Sequence, residues 1–130
     1  MDSQSITEIT NLLGRYCHLV DRGDIEQISE LFWPDSILHF NGTHEGIDQV
    51  LASYRTWKTE ARDPVENLRH MIFSPEIIID GDQATAVCYF NADCTARRSG
   101  KEILIRGRYE DRLGRRDGTW RLTERKIIVQ

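Results

Sequence analysis

The chain has few cysteines, few prolines and no long apolar run. Its three cysteines, Cys17, Cys88 and Cys94, are odd in number and form no C-x-x-C pair. Structural disulfides are therefore not expected, and a reducing cytoplasm is the expected location. No stretch approaches the roughly 18 consecutive apolar residues that a membrane-spanning helix needs, so no membrane partner is expected. The opening stretch, MDSQSITEIT, is polar and acidic and lacks the pattern of a secretory signal.

Excess positive charge is also missing. The chain carries 17 Lys and Arg against 21 Asp and Glu, a formal net charge of -4. Nucleic-acid-binding domains are normally basic, so no nucleic-acid partner is expected. The composition, 39% hydrophobic and 29% charged over 130 residues, is typical of one globular domain spanning residues 1–130.

The sequence contains none of the common cofactor motifs. It has no H-E-x-x-H and no Cys/His set at zinc spacing. A Walker loop, a dinucleotide-binding glycine fingerprint and a G-x-S-x-G elbow are also missing. We therefore expect neither a metal nor a nucleotide cofactor.

The first half of the chain predicts three helices and one short strand. Apolar side chains recur at three- and four-residue steps, as one face of a helix requires. Pro34 is expected to end the second helix because the residue before a proline disfavours helical backbone. The helices are predicted over Ser5–Val20, from Asp24 to Pro34, and over Gly46–Lys58, with a strand over Ser36–Phe40.

The second half predicts four long strands after a polar loop over Ala61–Glu66. Asp-Gly and Ser-Gly pairs mark the turns between runs rich in β-branched and aromatic residues. The strands are predicted over His70–Ile79, Gln83–Arg97, Glu102–Leu113 and Thr119–Val129. Helices followed by an antiparallel meander indicate an α+β fold.

Three stretches carry a resemblance to a known family: RYCHLVDRGD at 15–24, RHMI at 69–72 and DGTWRL at 117–122. In this order the chain resembles the SnoaL-like branch of the nuclear-transport-factor-2-like superfamily, along essentially its whole length. The resemblance implies a cone in which three N-terminal helices pack on a strongly curved, mixed and mainly antiparallel sheet around a pocket. Relatives include scytalone dehydratase, bile-acid dehydratase, hexachlorocyclohexane dehydrochlorinase, polyketide cyclases and ketosteroid isomerase, and also non-catalytic proteins, so fold alone does not give function.

Asp21 and His70 are the first candidate catalytic residues. Asp21 lies at the end of the first predicted helix, where the helix dipole disfavours a carboxylate unless a cation lies nearby. His70 opens the first long predicted strand and shares a face with Ile72. The resemblance implies that His70 is a general base and that Asp21 orients it and stabilises its protonated form. We therefore expect a hydrogen bond of about 2.6–3.2 Å between them.

Tyr16, Asp93 and Arg125 complete the candidate polar site. Tyr16 can polarise a substrate oxygen, as the resemblance implies, or be a core aromatic of its helix. Asp93 stands among Tyr, Ala and Cys residues of a predicted strand, an unusual setting for a carboxylate. The resemblance implies that Arg125 binds an anionic group or a leaving group.

Aromatic residues are the candidate walls of the pocket, although each is equally an ordinary core residue. The expected substrate-binding residues besides Arg125 are Tyr54, Trp57, Phe73, Tyr89 and Tyr109.

The resemblance implies a cofactor-independent lyase of the dehydratase type. Its substrate would be a small cyclic, aromatic or steroid-like hydroxylated molecule. An isomerase or polyketide-cyclase-type enzyme using the same pocket is one alternative. A non-catalytic ligand-binding or partner subunit is the other. The resemblance also implies a homodimer or a higher homo-oligomer.

Overall fold

Helices and strands alternate early in the chain and give way to four long strands. The computed structural model describes residues 2–130. In chain order the elements are α1 (Ser3–Arg22), a 3₁₀ helix (Ile25–Glu30), β1 (Phe32–His39), β2 (Thr43–Glu45), α2 (Ile47–Trp57), a π-helical turn (Lys58–Arg62), β3 (Val65–Asp80), β4 (Gln83–Ala96), β5 (Glu102–Arg116) and β6 (Thr119–Val129).

The six strands form one open sheet in the order β2-β1-β6-β5-β4-β3. β1 runs parallel to β6, and all other neighbours are antiparallel. α1 packs on β3 and β6, while α2 packs on β1. The predicted α+β cone fold is therefore confirmed.

The core lies between the helices and the inner face of the sheet. On α1 the buried stripe includes Ile9, Leu13 and Tyr16, which recur at the spacing of one helical face. β4 buries every second residue: Ala84, Ala86, Cys88, Phe90, Ala92 and Cys94. The alternating pattern leaves the odd-numbered residues of β4 on the outer face of the sheet.

The segment after α1 differs from the predicted second helix. Asp24 does cap a helical turn, accepting a hydrogen bond from the Glu26 N–H, but the turn is a six-residue 3₁₀ helix. Strand β1 already begins at Phe32, which pairs with Leu122 of β6. Pro34 lies where the β1–β6 register shifts, a place where its missing N–H breaks no ladder bond. Proline therefore sits inside a strand here and does not end a helix.

The predicted loop over Ala61–Glu66 is also partly ordered. Its first residues complete the π-helical turn that extends α2, and β3 begins at Val65, five residues before His70. None of the helices in residues 2–130 is both long and apolar enough to cross a membrane.

Candidate active site

A cavity of about 330 Å³ opens between the helices and the inner face of the sheet. Its walls are mostly apolar, and its size is in the range of small-molecule pockets. Tyr16 and Val20 of α1, and Tyr54 and Trp57 of α2, form the helical side. The sheet side includes His70, Leu68, Phe90, Ala92, Cys94, Ile103, Ile105, Tyr109, Ile127 and Val129.

Asp21 holds both the side chain and the backbone of His70. Its Oδ1 lies 2.6 Å from His70 Nδ1, and both carboxylate oxygens accept the His70 N–H at 3.0 Å. The backbone contact is possible because β3 is an edge strand with one side open to α1. An ionised carboxylate can only accept, so Nδ1 donates in this contact, and in the neutral form of the imidazole Nε2 then holds the lone pair.

Asp21 is held in place by contacts at the C-terminal end of α1. Arg62, from the π-helical turn, extends its Nη1 to the carbonyls of Leu19, Val20 and Gly23 at 3.2, 3.4 and 2.9 Å. A cation at the C-terminus of a helix offsets the negative end of its dipole. Arg62 thus supplies the positive charge that a carboxylate at this helix end requires.

Aromatic rings fix the plane of the His70 imidazole. Phe90 stacks on it with ring centroids 6.1 Å apart and planes 20° apart, and Trp57 meets it edge-on at 6.2 Å. Phe90 in turn stacks on Tyr109 at 4.4 Å. Gly107, opposite Phe90 on β5, makes this possible: a Cβ there would lie 2.5 Å from the Phe90 ring and 2.4 Å from the Ile128 carbonyl oxygen.

Hydroxyl groups from two helices meet at the wall of the cavity. Tyr16 Oη and Tyr54 Oη are 2.7 Å apart, one donating to the other. Burial raises the pKa of Tyr16, and the nearby Arg125 guanidinium opposes part of that rise. Burial also raises the pKa of Tyr54 well above its ordinary value. Both phenols therefore stay protonated at neutral pH and one hydrogen of the pair remains free for a ligand.

Arg125 lies fully buried behind these tyrosines. Its Nε and Nη2 donate to the two carboxylate oxygens of Asp111, each at 2.8 Å. Its guanidinium carbon is 4.2 Å from the centroid of the Tyr16 ring and 4.0 Å from that of Tyr109. Burial lowers the pKa of Arg125, but the facing Asp111 outweighs this and the net pKa is higher than usual. Arg125 is thus a protonated, paired side chain beneath the cavity wall.

The structure brings most of the sequence-predicted site residues together. The cavity is lined by Tyr16, Tyr54, Trp57, His70 and Tyr109. Asp21 touches the site through His70, and Arg125 touches it through the two tyrosine rings.

Asp93, Phe73 and Tyr89 do not reach the cavity, and the expectation that they belong to the site is corrected here. All three side chains lie on the outer face of the sheet. Asp93 pairs with Arg69 at 3.0 Å, while Phe73 and Tyr89 are cross-strand partners with 44% and 51% of their surface exposed. The reason is strand alternation, because His70, Ile72 and Phe90 take the inner positions and the odd-numbered neighbours face outward.

Phe90, Asp111, Glu60 and Arg62 are among the site residues that sequence reasoning missed. Phe90 and Asp111 follow the inner alternation of their strands, so parity along β4 and β5 was the available signal. Glu60 and Arg62 lie on the π-helical turn Lys58–Arg62. The predicted third helix ends at Lys58, before Glu60, and the predicted polar loop over residues 61–66 includes Arg62. Glu60 lines the cavity mouth with an exposed carboxylate. In residues 2–130, no three His, Cys, Asp or Glu side chains converge as a metal site requires.

The sequence profile of one family, the SnoaL-like domain, matches residues 1–126. A comparison with curated protein sequences gives no match. Solved structures give many matches with the same fold. A putative scytalone dehydratase from Novosphingobium aromaticivorans superposes with a TM-score of 0.86 at 17% identity, covering 99% of this chain and 86% of that chain.

Two further structures show the same architecture. A hexachlorocyclohexane dehydrochlorinase, LinA type 2, gives a TM-score of 0.81 at 17% identity over 98% of this chain and 86% of that chain. A nuclear transport factor 2-like superfamily protein from Salmonella enterica gives 0.84 at 20% identity, over 99% and 93%. At these identities the likeness shows the fold.

Proposed function

The chain belongs to the SnoaL-like domain family of the nuclear transport factor 2-like superfamily, and on that premise we propose that it is a cofactor-independent lyase of the dehydratase type. It acts on a small cyclic hydroxylated molecule bound in the cavity. The observation that carries this proposal is the 2.6 Å contact between Asp21 and His70 at the cavity wall. The dehydratase and dehydrochlorinase names among the structural neighbours are consistent with it.

His70 is the general base in this proposal. Asp21 keeps the hydrogen on Nδ1, which leaves the Nε2 lone pair to take a proton from carbon. The carboxylate also stabilises the imidazolium that forms, because the two groups share a site from which water is largely excluded. The stacked Phe90 ring and the edge-on Trp57 ring hold the imidazole in one orientation.

The elimination balances with these groups alone. Nε2 of His70 removes a proton from the carbon next to an activating carbonyl, and the C–H electron pair becomes the new double bond. The C–O bond to the hydroxyl group breaks, and the imidazolium returns its proton to the departing oxygen. Substrate becomes product plus one water, and His70 returns to its neutral form.

The tyrosine pair stabilises the charge that develops on the substrate oxygen. Tyr16 and Tyr54 share one hydrogen bond, so one of their two hydrogens is free to donate to a carbonyl oxygen. A donor fixed in an apolar cavity acts more strongly than it would in water. An isomerase would use the same proton abstraction but return the proton to another carbon, so its product keeps the mass of the substrate.

A substrate panel with matched variants tests the proposal. Cyclic hydroxyketones, hydroxylated aromatics and steroids are incubated with the protein, and products are identified by mass spectrometry as the loss of one water. We expect His70→Ala to lower kcat/KM by about 10²–10⁴-fold. Asp21→Asn should cost less, because it keeps the shape but loses the charge. His18→Ala, an exposed histidine on α1, is the control and should keep full activity.

Two results would count against the proposal. Full activity of His70→Ala with an unchanged thermal melt would remove His70 from the chemistry. Binding of panel compounds in the cavity with no turnover of any of them would favour the non-catalytic ligand-binding role.

A further inference from the structure

We propose that the cavity selects uncharged ligands and rejects anions of the same shape. The inference deepens the proposed function by naming the charge class of its substrate, and it uses the same cavity.

Arg125 is the one buried cation near the cavity in residues 2–130, and it is already neutralised. Both of its hydrogen bonds to Asp111 are 2.8 Å long, and both side chains are at most 1% exposed. Its remaining nitrogen, Nη1, is buried with no hydrogen-bond partner. The rings of Tyr16 and Tyr109 lie between the guanidinium and the open space. An anion would have to displace a packed ring to reach it.

The other charges around the cavity are negative. Asp21 stands directly behind His70, and Glu60 is at the mouth. Within the described residues Glu60 has no ion-pair partner within 4.0 Å, and His70 is the sole such partner of Asp21. No lysine or arginine is among the residues that line the cavity. An anionic ligand would therefore enter an unfavourable field.

The walls add a second penalty for any charge. Most of the cavity surface is aliphatic or aromatic, and the polar side-chain groups among its lining residues are the His70 imidazole, the tyrosine hydroxyls, the Trp57 indole N–H, the Cys94 thiol and the Glu60 carboxylate. Moving a charged group from water into such surroundings is costly unless a counter-charge receives it, whereas a neutral carbonyl needs only a hydrogen-bond donor. The Tyr16–Tyr54 pair can supply that donor. A cationic ligand would gain little from cation–π contact with the walls, because Arg125 already occupies one face of the Tyr16 and Tyr109 rings.

Isosteric probes test the inference by binding, without any need for turnover. Dissociation constants for 2-naphthamide, 2-naphthoate and 2-naphthylmethylammonium are measured by calorimetry at pH 7.5. We expect the neutral amide to bind at least about tenfold more tightly than either ion. The measurement does not depend on the lyase proposal, so loss of selectivity and loss of activity are separate outcomes.

Removing the counter-charge should change the selectivity. In Asp111→Asn, Arg125 is no longer neutralised, and we expect 2-naphthoate to gain about tenfold in affinity while 2-naphthamide changes by less than about threefold. Glu60→Gln is a second variant whose exposed position leaves the fold intact. It should improve 2-naphthoate binding by about two- to fivefold, since an exposed charge is screened. Glu76→Gln, an exposed carboxylate elsewhere on β3, is the matched control and should change nothing.

Three results would overturn the inference. The first is equal or tighter binding of 2-naphthoate by the unaltered protein, and the second is no measurable binding of 2-naphthamide at millimolar concentration. The third is an unchanged ratio of 2-naphthamide to 2-naphthoate affinity in Glu60→Gln, when Asp111→Asn also leaves this ratio unchanged or does not fold.

Discussion

At the scale of single residues, burial of the Cys17 and Cys88 thiols lowers the stability of the fold at high pH. Each has less than a tenth of its surface exposed, and burial raises the pKa of each from 9.0 to about 11. Between pH 9 and 11 the unfolded chain has released these protons while the folded chain still holds them. Stability therefore falls as pH rises through the unfolded pKa, and the loss is complete above the folded one.

We predict an alkaline loss of about 1–2 kcal/mol per thiol in the free energy of unfolding. The measurement is urea unfolding between pH 8 and 10, a range chosen because the buried tyrosines add a similar effect at higher pH. Cys17→Ala should show a shallower decline than the unaltered protein, with each variant referenced to its own value at pH 8. An identical slope in both proteins would mean that the Cys17 thiol titrates normally in the fold.

The residues misplaced by sequence reasoning share one physical cause. Side-chain chemistry makes Asp93, Phe73 and Tyr89 candidates, but chemistry does not say which face of a strand is inside. The small residues of β4 show which face is buried, because Ala84, Ala86 and Ala92 share its even-numbered side. The resemblance implies a ligand-binding role for Arg125, but it does not predict the partner Asp111, because their pairing depends on the β5–β6 register.

At the scale of elements, the π-helical turn links the cavity mouth to the end of α1. Trp57, Glu60 and Ala61 line the mouth, while Arg62 points the other way and bonds to three carbonyls at the end of α1. In sequence, Asp21 lies between Val20 and Gly23, two of the residues whose carbonyls Arg62 contacts. Arg62 is therefore a positioning residue for the Asp21–His70 pair, not a group that touches the substrate.

We predict that Arg62→Ala lowers the free energy of unfolding by about 1–2 kcal/mol, because charge-assisted hydrogen bonds to carbonyls are lost. Amide hydrogen exchange should quicken at His70, whose N–H donates to Asp21, and in the last turn of α1. Arg62→Lys keeps the charge and should recover part of both effects. Arg55→Ala removes only an exposed ion pair with Glu26 and should cost less than about 1 kcal/mol. An unchanged rate of amide hydrogen exchange at His70 in Arg62→Ala would show that the π-helical turn does not position the Asp21–His70 pair.

The element boundaries were predictable where local signals decide them. The three hairpins of the β3–β6 meander follow Asp-Gly and Ser-Gly turns, and the structure places a positive-φ glycine in each: Gly81, Gly100 and Gly118. The segment after Asp24 was not predictable in the same way. Its helical pattern is overridden because Phe32 pairs with Leu122, ninety positions along the chain, and no local rule anticipates such a contact.

At the scale of the whole molecule, the outer face of the sheet presents several large apolar side chains to water. Phe73, Ile78, Tyr89 and Leu104 are all exposed, between 44% and 58%. Register places them on the side opposite the cavity. Charged residues such as Arg108 and Glu110, an ion pair at 2.9 Å, stand among them. Apolar anchors within a polar surround are the composition of a protein–protein interface.

We predict that this outer face is covered in a homodimer, the assembly that the family resemblance implied. Light scattering at micromolar concentration should then give twice the chain mass of 15.1 kDa. Leu104→Glu places a charge among the apolar anchors and should shift the mass toward one chain, because an unpaired charge is costly to bury. Ile6→Glu, an exposed apolar residue on α1 away from the sheet, is the matched control and should leave the mass unchanged. A single-chain mass for the unaltered protein, or an unchanged dimer in Leu104→Glu, would show that the apolar outer face is not where two copies meet.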